Sequence, residues 1–343
     1  MAEEFKDPRD VAWHPRRAAS LLGHAEAEAW LLQAHQSGKL HHAWLISGPR
    51  GIGKATLAYR FAKFLLQVPD GMKARAHASL QVAAEAPAAR QVMAASHPDL
   101  LVIERAIDIR GKKLKSEIAV ADARQAQNFF ARTAGAGGWR IAIVDSADEL
   151  NGESANALLK VIEEPPRQSI FLLVCHQPGR LLRTIRSRCL ELQLSPLDID
   201  TTLDVLKSLP PGAITGDGAA LRQAAELSRG SPGRAMDLLG SKGAAAFADF
   251  LKRPKLTPAT AVEIGAAFTG RESPEDYFMF CELLTAWIAA RARAAGLEGK
   301  GEALAEAHDD INSSLRRTDA LNLDRRQTVT DALMRLEEAL KAS

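Results

Sequence analysis

Five short aliphatic or β-branched runs mark the first 195 residues: Trp44–Ser47, Leu100–Glu104, Ile141–Asp145, Ile170–Cys175 and Cys189–Leu194. Most are continuous rather than alternating. A strand inside a parallel sheet is covered by helices on both faces, so side chains of both parities are apolar. Between these runs apolar residues recur at helical spacing. Ala55–Gln67 gathers Leu57, Phe61, Phe64 and Leu65 on one side, and Val120–Arg132 and Ser154–Glu164 read the same way. Ser154 follows the turn-like Asn151-Gly152 and is the expected cap of its helix. Strands alternating with helices predict an α/β layer built on a five-stranded parallel sheet.

The pattern changes after Leu194. From Ser195 onward no run reads as a strand, and Pro210-Pro211-Gly212, Gly216-Asp217-Gly218 and Ser231-Pro232-Gly233 break a region of short helices. A break around Gly240–Gly243 precedes a long helical tail, in which Phe278–Arg293 and Asp324–Leu340 are amphipathic or largely apolar. The expected layout is an α/β domain over 1–195, a small helical module over 196–242 and a helical domain over 243–343. Residues Pro69–Ala95 are rich in alanine without strand signals, and read as a surface helix or loop insertion. No fixed-period repeat is present.

A length of 343 residues agrees with two to three domains. Hydrophobic residues at 46% and charged residues at 25% exclude wholesale disorder. The net charge of +2, from 44 basic and 42 acidic residues, argues against a nucleic-acid coat along the chain and leaves room only for a local basic patch. Aromatics at 5% argue against a stacking platform for single strands. No apolar run approaches the ~18 residues of a membrane span, so no membrane partner is expected. The polar, acidic start MAEEFKDPRD reads as neither a secretory signal nor a transit peptide. Cys175, Cys189 and Cys281 form no CxxC pair, so no Cys-rich zinc site is expected, and an odd count without a signal peptide points to the cytoplasm.

The strongest chemical signal is Gly48-Pro49-Arg50-Gly51-Ile52-Gly53-Lys54-Ala55-Thr56, which follows an apolar strand and opens a helix. That is the setting of a phosphate-binding loop. Gly48, Gly51 and Gly53 let backbone amides turn toward a phosphate, the helix start adds a positive field, and Lys54 would reach the outer phosphates. The residue after the lysine normally supplies a hydroxyl to Mg²⁺; here it is Ala55. Thr56 lies one place on, about 100° around the helix. A second element, Arg140–Asp145, is an aliphatic strand ending in Asp, the type of carboxylate that supports Mg²⁺. Where a water-polarising Glu commonly follows, this chain has Ser146. The two departures point away from fast hydrolysis. They leave open both a site that holds ATP or ADP without cleaving it and an empty descendant of one.

Arg183, Arg186 and Arg188 fall within six residues before the fifth strand. Alone, such a cluster reads as a solvated basic surface. Its neighbours change the reading. Asn156-Ala157-Leu158-Leu159-Lys160-Val161-Ile162-Glu163-Glu164-Pro165-Pro166, followed by Ser187-Arg188-Cys189, resembles the clamp-loader branch of the AAA+ ATPases. His41-His42-Ala43-Trp44 and His97-Pro98-Asp99 agree with it. The likeness runs from about residue 10 to about 240; the tail agrees only in length and helical character.

That resemblance implies a P-loop AAA+ domain, a small helical lid and a C-terminal helical collar for oligomerisation. It implies that Arg188 acts as an arginine finger in trans, reaching the ATP site of a neighbouring subunit. A planar guanidinium suits that task because it binds phosphate oxygens bidentately. Arg234 matches the second-sensor arginine of the lid. Gly48, Gly51, Gly53, Lys54, Thr56 and Asp145 would then form a vestigial or weak nucleotide site, with no cofactor required. The implied partners are motor subunits and a clamp-opening subunit in a hetero-pentamer that loads a sliding clamp onto primed DNA. Many members carry a four-cysteine zinc module after the P-loop helix, but Val68–Ser96 contains no cysteine, so the zinc is not carried over. Cys175 and His176 stand at the first-sensor position, where a small hydroxyl is usual, and His176 reads as a satisfied loop histidine. Arg105–Lys115, with Arg110, Lys112, Lys113 and Lys115 around Gly111, is a candidate phosphate-contacting loop or a plain hairpin tip. The rival readings are a self-sufficient AAA+ motor, which Ala55 and Ser146 oppose, and a small-molecule kinase, which would leave Ser-Arg-Cys without a purpose.

Overall fold

The computed structural model describes residues 10–68, 73, 75–108, 113–132, 134–135, 138–253, 255–269, 274–297 and 300–342. Its first elements are α1 (Ala25–Gln36), β1 (Ala43–Ser47), α2 (Lys54–Gln67), α3 (Pro87–Met93), β2 (Leu100–Glu104), β3 (Ile107–Asp108) and β4 (Lys113–Leu114). Then come α4 (Val120–Phe130), β5 (Arg140–Asp145), α5 (Gly152–Glu163), β6 (Ser169–Cys175), α6 (Arg183–Arg186) and β7 (Leu190–Gln193). Five strands form one all-parallel sheet in the order β2-β5-β6-β1-β7. The α/β class and the five expected strands are therefore present, with ends shifted by a residue or two.

The pleat sorts the apolar runs onto two faces. Trp44, Ile46, Ile141, Ile143 and Leu172 pack with Phe61 and Phe64 of α2 and Leu31 of α1. Leu45, Ala142, Val144, Phe171 and Leu173 pack with Phe130 of α4 and Leu158 and Ile162 of α5. Both faces are covered, which is why these strands read as unbroken apolar runs. The register sets Ser47 beside Cys175 and Asp145 beside Val174. The C-terminal ends of β1, β5 and β6 thus lie side by side, the edge where open α/β sheets place their ligands.

Two local expectations need correction, and a third is met. The cap of α5 is Asn151, whose Oδ1 accepts the Ser154 amide at 2.9 Å. Ser154 is buried inside the first turn, and its hydroxyl donates to the Ile118 carbonyl at 2.6 Å. Asn and Ser are near-equal caps, so the position was set by which one the chain could bury. The alanine-rich insertion is more than surface: Leu80 and Val92 join the α2 face of the core, and Ala88 and Ala89 are buried. Finally, β3 and β4 pair antiparallel, Asp108 opposite Lys113, so the basic loop has a hairpin base. Arg110, Gly111 and Lys112 lie outside the described residues.

After Gln193 the described residues hold no strand. The helices are α7 (Ile199–Lys207), α8 (Gly218–Leu227), α9 (Pro232–Gly240), α10 (Lys242–Lys252), α11 (Pro258–Gly265), α12 (Pro274–Gly296), α13 (Glu302–Leu321) and α14 (Arg325–Ala342). The chain divides into two compact units. One runs to Ala213 and includes Ser228–Arg234; the other holds Ile214–Leu227 and Ala235 to the C-terminus. In the second, Phe247, Tyr277, Phe280 and Leu333 are fully or almost fully buried. Ser241 starts α10 by accepting the Gly243 and Ala244 amides at 3.1 and 3.3 Å, while its hydroxyl donates to Asp276. Among the described residues no helix is long and apolar enough to cross a membrane.

Candidate functional site

The phosphate-type loop leaves β1 at Ser47 and enters α2 at Lys54. Its glycines are conformational necessities. Gly48 has φ +140°, and a Cβ there would meet the Leu194 carbonyl oxygen at 2.5 Å. Gly51 has φ +78°, and its Cβ would meet the Ser231 hydroxyl at 2.5 Å. Gly53 precedes α2 with φ +107°. The loop is tied from several sides. The Leu194 amide donates to Ser47 at 2.8 Å, and His24 Nε2 bonds the Ile52 carbonyl at 2.7 Å. Ser231 Oγ donates to the Arg50 carbonyl at 2.8 Å, and the Gly233 amide to the Gly51 carbonyl at 2.9 Å. Arg234 enters this arrangement through its amide, which donates to Ser231 at 3.2 Å.

Lys54 is 3% exposed. Its ammonium donates to the Gly48 carbonyl at 2.6 Å and the Pro49 carbonyl at 2.5 Å, both in its own loop. Burial lowers its pKa to about 8, against the opposing pull of Asp145 and Asp148. Asp145, at the end of β5, has its carboxyl pushed up by burial, partly offset by the Ser146 hydroxyl bond and the Lys54 charge. Ser146 Oγ donates to Asp145 at 3.2 Å and shares a hydrogen bond with His176 Nε2 at 2.8 Å. Burial, then Lys54, lowers the His176 pKa to about 4, so the ring is neutral near pH 7. Its Nδ1 is buried with no partner among the described residues, so this histidine is only half satisfied and belongs to the site.

The remaining carboxylates are engaged. Asp148 accepts the amides of His176 at 2.8 Å and Gln177 at 3.1 Å. Burial alone would raise its pKa, but those amides hold it below the ordinary range. Glu149 pairs with Arg105 at 2.8 Å. A hydrolysing Mg–nucleotide centre needs a hydroxyl after the lysine, a lysine directed at phosphate and a carboxylate beside the attacking water. Position 55 is alanine, Lys54 bonds its own loop, and Asp148 and Glu149 serve other partners; the residues present do not fit such a centre. Thr56, one place along α2, is half-buried. Among the described residues no group of three or more His, Cys, Asp or Glu is arranged to hold a metal ion.

The arginine element lies beyond β6. Leu181 and Ile185 turn inward and are buried, leaving Arg183 and Arg186 exposed. Arg188 donates from Nη1 to the Thr184 carbonyl at 2.9 Å and pairs through Nη2 with Glu163 Oε1 at 2.9 Å. Its side chain is 39% exposed and that of Glu163 44%. The two quoted motifs thus meet in space, one through Glu163 and the other through Arg188. Burial pushes the thiol of neighbouring Cys189 up to about 12, which makes it a packing residue rather than a nucleophile. The structure brings Gly48, Gly51, Gly53, Lys54, Asp145 and the Ser231–Arg234 turn to one edge; Arg188 has its own partners. Glu163 and Ser231 stood in quoted motifs with no role given to them, and His176, expected to be a satisfied loop histidine, is half-paired instead.

Comparison with known proteins gives a consistent result. A family model described as DNA polymerase III, delta subunit matches residues 23–198. A curated DNA polymerase III subunit delta' from Pseudomonas aeruginosa is 36% identical over 201 residues, 58% of this chain and 56% of that one. Its counterpart from Escherichia coli K12 is 34% identical over 209 residues, 61% of this chain and 57% of that one. The E. coli tau subunit is 29% identical over 227 residues, 66% of this chain and 33% of the other. The chain therefore spans little more than half the length of the delta' relatives it matches. Among solved structures, a gamma subunit-related protein from Thermotoga maritima aligns with a TM-score of 0.49 at 16% identity, covering 90% of this chain and 99% of that one.

Proposed function

The chain belongs to the DNA polymerase III delta-subunit family, where its named relatives are delta' subunits, and from that premise we propose that it is a delta'-type component of a replicative clamp loader. It stands in a hetero-pentamer beside motor subunits of related fold and a clamp-opening subunit. The assembly loads the sliding clamp onto primed DNA. This chain hydrolyses little or no ATP of its own and lends Arg188 to the ATP site of a neighbour. Residues 196–242 act as the lid, and 243–343 as the collar. Exposed apolar side chains on the helical unit, Val262, Phe278 and Leu321, supply surface for packing against sibling subunits.

One observation carries the reading: the Lys54 ammonium is bound to Gly48 and Pro49, while Arg188 stands half-exposed. Charge that builds on γ-phosphate oxygens during transfer is stabilised by a guanidinium, worth about 10³–10⁵ in rate where such fingers have been measured. Arg188→Ala in the reconstituted loader should lower hydrolysis at the adjoining site by about 10³. An unchanged single-turnover rate there would remove the role.

A second reading, a motor in its own right, draws on the retained Gly48–Lys54 loop and on Asp145 lying within electrostatic reach of Lys54. The purified chain with Mg-ATP separates the two. Turnover without partners favours the motor, and its absence favours the accessory subunit.

A further inference from the structure

Glu163 is the last residue of α5, and Glu164 follows it as the C-cap, before Pro165 and Pro166. Two carboxylates at a helix C-terminus face the negative end of the helix dipole, an unfavourable place for them. Nothing in the packing of α5 asks for Glu163. Its inward residues are Ala155, Leu158, Val161 and Ile162, and the Glu163 side chain is 44% exposed. What the carboxylate does contact is Arg188. A cation at that spot is favoured twice, by Glu163 and by the negative end of the helix dipole.

The guanidinium is held from two directions. Thr184, in α6, offers its carbonyl to Nη1, and Glu163, in α5, accepts from Nη2, each at 2.9 Å. Nη1 also reaches Ser187 Oγ at a long 3.5 Å, so two of the five N–H donors are committed firmly and a third only weakly. Nε–H has no partner among the described residues. A free arginine side chain populates many rotamers and must give up that freedom to bind. A side chain already fixed at two nitrogens does not.

We propose that Glu163 is a positioning residue for Arg188, fixing the guanidinium so that its remaining donors face a phosphate group carried by a neighbouring subunit. The inference rests on reading Arg188 as a finger, and the experiment separates the two. In the reconstituted loader, Glu163→Ala should lower the single-turnover rate at the adjoining site about three- to fivefold, the upper part of what an exposed ion pair commands. Glu163→Gln keeps an acceptor oxygen and should stay within about twofold of wild type. In an Arg188→Ala background, Glu163→Ala should change nothing further. Thermal unfolding of the full chain should be unchanged or raised by Glu163→Ala, because a carboxylate leaves the negative end of α5.

A Glu163→Ala rate equal to wild type overturns the inference. So does a Gln loss as large as the Ala loss, or the same fold loss with and without Arg188. If Arg188→Ala itself leaves the rate unchanged, the finger reading fails and takes this one with it. If Arg188→Ala is crippled and Glu163→Ala is not, only the positioning role falls.

Discussion

Lys54 and Arg188 belong to the same α/β unit and meet opposite fates. The lysine is 3% exposed, and its ammonium answers carbonyls of its own loop. The arginine is 39% exposed along its side chain, tethered at two nitrogens with donors to spare. A buried ammonium must find hydrogen bonds wherever it can, and here the loop supplies them. A half-exposed guanidinium keeps its charge and remains available. The contrast teaches that the lysine of a phosphate-type loop can turn onto its own carbonyls while a second cation of the same unit stays reachable.

Arg188→Ala gives the largest expected effect, the loss of about 10³ at the adjoining site. Gly48→Ala tests the inward-turned side. Its Cβ would lie 2.5 Å from the Leu194 carbonyl oxygen at φ +140°, so denaturant titration of the chain should show a loss of about 3 kcal/mol. A neutral result would mean that the loop is slack.

Lys63 is a second buried cation for comparison, 7% exposed, with Nζ donating to the Ala18 carbonyl at 3.3 Å. Burial, then Arg60, lowers its pKa to about 8. An unfolded lysine keeps its proton to about pH 10.4, so between these values the unfolded chain binds more protons and stability rises with pH. The contribution is complete above the unfolded pKa and is lost as pH falls through about 8. Wild type should therefore gain about 1–2 kcal/mol over Lys63→Met between pH 7 and pH 10 in paired unfolding curves.

The smallest effect belongs to Lys54→Met. It strands the Gly48 and Pro49 carbonyls and should cost about 1 kcal/mol, while the ATPase of the assembly stays within about twofold. A loss rivalling that of Arg188→Ala would reverse the comparison.

The sheet was legible because of burial on both faces. Trp44–Ser47, Ile141–Asp145 and Ile170–Cys175 are apolar at every or nearly every position, and each forms a strand. The cap of α5 was less so, since Asn151 and Ser154 are both good caps and only packing beneath Ile118 decides between them. The β3–β4 ladder, two residues a side, has no periodicity to detect. At the site, the glycines and Lys54 were readable as a motif. The direction of the lysine was not, because its partners are backbone carbonyls of the loop, Gly48 and Pro49, whose placement no residue type encodes. The Glu163–Arg188 pair joins residues 25 apart in sequence across all of β6, and no local pattern encodes such a meeting.

The bond from Gly233 to Gly51 gives the molecule a built-in gauge. Its amide proton is shielded only while the seam between the two glycines is shut. Deuterium uptake at that one amide would therefore clock how often the loop opens, with or without neighbours in place.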